Sequence, residues 1–181
     1  MVQLRTDQNV VKKGAPMTPT RRILLNAAVA AVYAVLTVGL APLSYGPVQV
    51  RISECLTLLA YNNKNYLPGL ILGCCIANFG SPLGIADILV GTAATALAVC
   101  IMSGLHNLYA ASFVPVVVNG VIIGLELYGL GLIPADLIFP TMVYIGAGEL
   151  ISVSLIGIGL YRLLLQNPVV KSYLQDRSAN K

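Results

Sequence analysis

Charge is scarce in this sequence: Asp, Glu, Lys and Arg make up 10% of its 181 residues, while 57% are hydrophobic. Soluble domains carry roughly a quarter charged residues, so the composition excludes a water-soluble fold and makes lipid the expected solvent. There is one histidine, His106, and no tryptophan. A lone histidine leaves a Ser/His/Asp triad or a zinc-binding helix without partners, and no catalytic residue or metal site is expected. Neither a phosphate-cradling glycine loop nor a Gly-x-Ser-x-Gly elbow is present, so this chain is not expected to hydrolyse ATP or esters. The four cysteines, Cys55, Cys74, Cys75 and Cys100, lie inside apolar runs without a Cys-x-x-Cys pair and read as small buried hydrophobes.

The net charge of +4 sits mainly at the ends, in Arg5, Lys12, Lys13, Arg21 and Arg22 and again in Arg162, Lys171, Arg177 and Lys181. This is the bias of cytoplasmic loops and tails, not a nucleic-acid patch. Between the tails lie six apolar runs, at 23–41, 48–61, 67–79, 83–102, 109–127 and 137–165. The expected fold is therefore an all-α membrane protein, a six-transmembrane-helix bundle with both termini cytoplasmic. One membrane domain spans 22–166, between an N-terminal tail, 1–21, and a C-terminal tail, 167–181. The first apolar run is too long for a signal peptide, and the start of the chain is expected to be retained and mobile. The second and third runs are shorter than a standard span and either cross or re-enter.

Six crossings put connections 42–47, 80–82 and 128–136 outside and 62–66 and 103–108 inside. Lys64 then falls on the inner side, as the charge rule requires. His106 also falls there and reads as solvated. The ionisable residues Arg51, Glu54, Asp87, Glu126 and Glu149 all map to the outer half or near the midplane. Ionisable groups in hydrocarbon cost a few kcal/mol by insertion scales, ~2.5–3.5 for a central Arg or Asp, and usually mark function. One reading has Arg51 and Glu54 neutralise each other on one helical face while Asp87 and Glu126 reach headgroups. The adopted reading is a solute site beneath the outer loops, formed by Tyr45, Gln49, Arg51, Glu54, Asn78, Asp87, Glu126, Tyr128 and Tyr144.

Ala27, Ala31 and Ala30, Ala34 repeat at four-residue spacing and give the first helix a smooth stripe for close helix contact. That stripe is followed by Ser44-Tyr45-Gly46-Pro47-Val48-Gln49-Val50-Arg51-Ile52-Ser53-Glu54 and by Asn78-Phe79-x-Ser81-Pro82-x-Gly84-x-x-Asp87. Over residues 22–165 the sequence resembles the substrate-binding S components of energy-coupling factor (ECF) transporters, in the queuosine-precursor and cobalamin group. The resemblance implies a subunit of the bacterial cytoplasmic membrane that captures a vitamin-type solute and topples in the bilayer. Its implied partners are a scaffold membrane subunit and two ATPases, with Ala27, Ala30, Ala31 and Ala34 facing the scaffold. No permanently bound cofactor is implied, and no nucleic acid.

The solute stays open between two chemistries. A deazapurine queuosine precursor favours an aromatic sandwich and a carboxylate, roles open to Tyr45 and to Glu54 or Glu126. Cobalamin needs a wide mouth lined by small residues, which the glycines, alanines and tyrosines near the outer loops permit, and it is the expected solute given the lack of Trp and scarcity of Phe. Two other classes also use buried carboxylates: a stand-alone proton-coupled carrier, and a membrane enzyme with Glu54, Asp87 and Glu149 as acid, base or metal ligands.

Overall fold

The computed structural model describes residues 18–46 and 49–174. Residues 1–17 of the expected N-terminal tail and 175–181 of the C-terminal tail therefore lie outside the described residues, as do Pro47 and Val48. Helix α1, Pro19–Gly39, starts earlier than the apolar run because Thr18 caps it, accepting from the Arg21 N–H at 3.4 Å, with proline in the first turn. It ends at Gly39, and Pro42 belongs to the first turn of a short α2, Ala41–Ser44.

The second apolar run is not a regular span. A 3₁₀ segment, Ile52–Leu58, leads into α3, Leu59–Asn62. Thr57 turns its hydroxyl back onto the Glu54 carbonyl at 2.6 Å, a side-chain bond that competes with regular helix geometry. A further 3₁₀ turn, Lys64–Tyr66, precedes α4, Leu67–Asn78. Then come α5, Ile85–Gly104, and α6, Leu108–Gly129, the latter capped by Asn107, whose Oδ1 accepts from the N–H groups of Tyr109 (2.9 Å) and Ala110 (3.2 Å). The last run begins as a 3₁₀ turn, Ala135–Leu137, and continues as α7, Ile138–Glu149. A π-helical stretch, Leu150–Gly157, joins α7 to α8, Ile158–Gln166, and α9, Pro168–Leu174, follows.

Among the described residues, four helices are long and apolar enough to cross a membrane: Pro19–Gly39, Ile85–Gly104, Leu108–Gly129 and Ala135–Gln166. The segments at 52–62 and 67–78 are shorter. All six nevertheless form a closed ring. α1 packs on α4, α4 on α5, α5 on α6 and α6 on α7; the π stretch meets the 52–58 segment, which returns to α1. The α1–α4 contact is close because position 73 is glycine, where a Cβ would lie 2.8 Å from Tyr33 Cβ and 3.0 Å from Ala30 Cα. The core contains Tyr33, Leu58, Leu70, Val99, Met102 and Val153, while Ile23, Phe139 and Leu155 point outward, as lipid-facing residues do. Of the cysteines, Cys55 and Cys74 are buried, but Cys75 is only partly buried and Cys100 is exposed on α5, which corrects the expectation for that pair.

Side-chain bonds tie several connections to one end of the ring. Asn26 of α1 donates to the Asn65 carbonyl at 2.8 Å and accepts from the Gly69 N–H at 2.6 Å. Tyr61 donates to the carbonyl of His106 at 2.6 Å and stacks edge-on against Tyr161 of α8. Arg162 donates to the Tyr109 hydroxyl at 2.6 Å. The start of α1 and the end of α8 thus share an end with connections 62–66 and 103–108.

Candidate functional site

At the opposite end, Tyr45, Gly46 and Gln49 from one connection and Ser81, Pro82 and Leu83 from another meet Leu127 of α6 around a cavity of about 250 Å³. Gln49 is held at φ 46°, a left-handed conformation seldom taken by residues other than glycine. Tyr45 donates to the Ala77 carbonyl at 2.5 Å, and burial, above all, lifts its phenol above the ordinary value, so it remains a neutral donor.

Arg51 lies just inward of this cavity, its guanidinium 5.8 Å from the Tyr45 ring centre. Its Nη2 is 3.2 Å from Asp87 Oδ2, and both residues are buried, at 5% and 1% exposure. Asp87 stands in the first turn of α5, where the helix dipole favours a carboxylate. Glycine at position 91, one turn on, leaves room for it: a Cβ there would sit 2.5 Å from Asp87 Oδ1 and 2.9 Å from Asn78 Nδ2. Asn78 in turn donates to the Asp87 carbonyl at 2.9 Å.

The mutual neutralisation of Arg51 and Glu54 does not form. Glu54 is instead held by Tyr33, whose hydroxyl donates to Oε1, with the Thr95 hydroxyl 3.5 Å from the same oxygen. Thr37 and Ser53 share a hydrogen bond of 2.6 Å beside them. Nor do Asp87 and Glu126 reach outward to headgroups: both are buried, and neither oxygen of Glu126 has a partner. Glu149 is buried across the ring, with Asn119 Nδ2 donating to its Oε1 at 2.7 Å. Among the described residues, the carboxylate within ion-pair distance of Arg51 is Asp87.

Tyr45, Gln49, Arg51, Glu54, Asn78, Asp87 and Glu126 are thus brought to one end and interior of the ring, whereas Tyr128 and Tyr144 are not. Tyr128 is 46% exposed because it lies two residues past inward-facing Glu126, on the other side of α6. Tyr144 is 60% exposed because its neighbours Ile145 and Gly148 hold the inner face of α7. In the stripe of α1, Ala27 and Ala31 are exposed and Ala34 partly so, but Ala30 is buried against α4. Tyr33, Thr95 and Asn119 carry no signal strong enough to single them out in sequence. Among the described residues, no three His, Cys, Asp or Glu side chains are grouped to hold a metal ion.

A ring of apolar helices with ionisable groups inside, capped at one end by a polar cavity, defines a multi-pass helical membrane protein. The chain belongs to the QueT transporter family, whose model matches residues 23–166. A curated relative, the queuosine precursor transporter QueT of Lactococcus lactis subsp. cremoris (strain MG1363), is 44% identical over 78 residues. That match covers 42% of this chain and 46% of the relative, so the chain matches less than half of the relative's length. No solved structure matches the chain.

Proposed function

We propose that this chain is the solute-capturing S component of an ECF-type importer of the bacterial cytoplasmic membrane, and that its solute is a queuosine precursor. Family membership carries the proposal. The name of the Lactococcus relative supports a deazapurine over the cobalamin expected from composition. A cavity of about 250 Å³ among the described residues has room for a bicyclic base. The solute enters between the 45–49 and 81–83 connections and meets Arg51 and Asp87 below them.

In this reading the ring crosses the bilayer six times, the cavity faces outward and both termini are cytoplasmic. Of the basic residues described, Arg21, Arg22, Lys64, Arg162 and Lys171 lie toward the end opposite the cavity, which supports that orientation. The exposed Ala27 and Ala31 contact the scaffold subunit. Two partner ATPases supply the energy, and the chain itself needs neither catalytic residue nor resident cofactor.

Uptake of a labelled deazaguanine by cells producing the chain with and without the scaffold and ATPases tests the class. Import that requires the module is expected. Import by the chain alone in liposomes, driven by a proton gradient, would identify a stand-alone carrier and refute the proposal.

A further inference from the structure

We infer that Glu149 and Asn119 form a second pole of the solute site, one that reads an edge of adjacent N–H donors on the solute. The inference rests on the reading that the buried cluster holds a deazapurine. Asn119 lies mid-way along α6 and Glu149 closes α7, immediately before the π stretch. Their side chains are 4% and 3% exposed. The 2.7 Å bond from Asn119 Nδ2 to Glu149 Oε1 uses one acceptor and leaves Glu149 Oε2 and Asn119 Oδ1 without partners. Ser152, in the π stretch, and Glu54 Oε2, on the 52–58 segment packed against it, are unpartnered too.

Buried polar atoms in a bundle are normally satisfied, because nothing in the hydrocarbon replaces a lost partner. Here unpartnered acceptors outnumber donors: Glu149 Oε2, Asn119 Oδ1 and Glu54 Oε2 are set against the Ser152 hydroxyl, which can donate or accept. Asn119 gives one of its two amide N–H groups to Glu149, and the unpartnered cationic donor Arg51 Nε belongs to the pole beside Asp87. A solute that completes this arrangement presents at least two donors side by side. A 2-amino-4-oxopyrimidine edge does so, with a ring N–H next to an exocyclic amine. A carboxylate with a neighbouring amide oxygen accepts both, whereas an edge that alternates donor and acceptor leaves one oxygen unpaired. The π stretch widens the helix just where these groups sit, as such bulges often do at functional sites.

The test compares 7-deazaguanine with 7-deazahypoxanthine, which lacks only the exocyclic amine, by titration calorimetry on the full chain in detergent. A site built to bond an N–H group rejects the analogue lacking it strongly, so a preference of roughly tenfold or more for 7-deazaguanine is expected. Glu149→Gln, which places a donor where an acceptor is needed, is expected to weaken 7-deazaguanine by roughly tenfold while leaving 7-deazahypoxanthine nearly unchanged, collapsing the ratio. Asn119→Ala is the second variant; it removes the acceptor left for the ring N–H, which both bases carry, and is expected to weaken both by a similar factor; monodispersity and melting temperature verify that each is folded. Equal affinity of the wild type for both bases, an unchanged ratio in folded Glu149→Gln, or undiminished binding of both bases by folded Asn119→Ala, overturns the inference and leaves the deazapurine reading standing. Failure of the folded wild type to bind either base removes that reading and the inference with it.

Discussion

Arg51 is buried against Asp87, and that partner shows how far spacing arguments reach. Three residues separate it from Glu54, the separation that makes neighbours on an α-helix. Arg51, however, precedes the 3₁₀ segment with an extended backbone, φ −87° and ψ 95°, so its side chain leaves the helical face and meets Asp87, 36 residues away on α5. That residues 51, 54, 87, 126 and 149 turn inward was legible from their depth in the apolar runs. Which of them pair was not, because pairing depends on the packing of separate elements. Removing one member of a buried pair strands the other, so Arg51→Met should destabilise the protein by about 3–5 kcal/mol. Arg51→Met combined with Asp87→Leu should recover most of that loss, and melting curves in detergent measure both. Tyr33→Phe, which removes a buried donor from Glu54, should cost about 1–3 kcal/mol in the same assay.

Among the elements, the long helices were legible because apolar runs of about 20 residues have few other uses. Two features were not. The 3₁₀ character of Ile52–Leu58 and the π character of Leu150–Gly157 arise where these two segments pack on each other, a contact between residues about a hundred positions apart. The division of the alanine stripe was also hidden: four-residue spacing marks Ala30 and Ala34 as readily as Ala27 and Ala31, but Gly73 draws α4 onto Ala30. Gly73→Leu would force α1 and α4 apart and should cost at least the ~1–3 kcal/mol typical of overpacking, read as a lowered melting temperature. Ala30→Leu should act in the same direction, since Ala30 is 3% exposed.

For the whole molecule, the proposed scaffold contact predicts that the split in the stripe separates folding from assembly. Ala27→Leu with Ala31→Leu changes exposed positions and should leave the melting temperature and solute binding nearly intact while weakening co-purification with the scaffold subunit and slowing uptake. Orientation is tested by cysteines introduced in place of Lys64 and Asp136, both exposed, in a background lacking the native cysteines. A membrane-impermeant maleimide should label position 136 in intact cells and position 64 only after lysis. Labelling of both from outside would remove the six-crossing topology. The solute was the least legible feature, because Tyr45 and the small residues near it fit either chemistry.

The most direct test of a solute site within the ring is the thermal shift given by 7-deazaguanine to the purified chain. A ligand that binds only the folded state at 100 times its dissociation constant stabilises by about 2.7 kcal/mol, so the wild type should melt several degrees higher with the base present. The folded Arg51→Met, Asp87→Leu variant should show no shift. A variant that keeps the full shift, or a wild type stabilised by cobalamin and not by the base, would contradict the account.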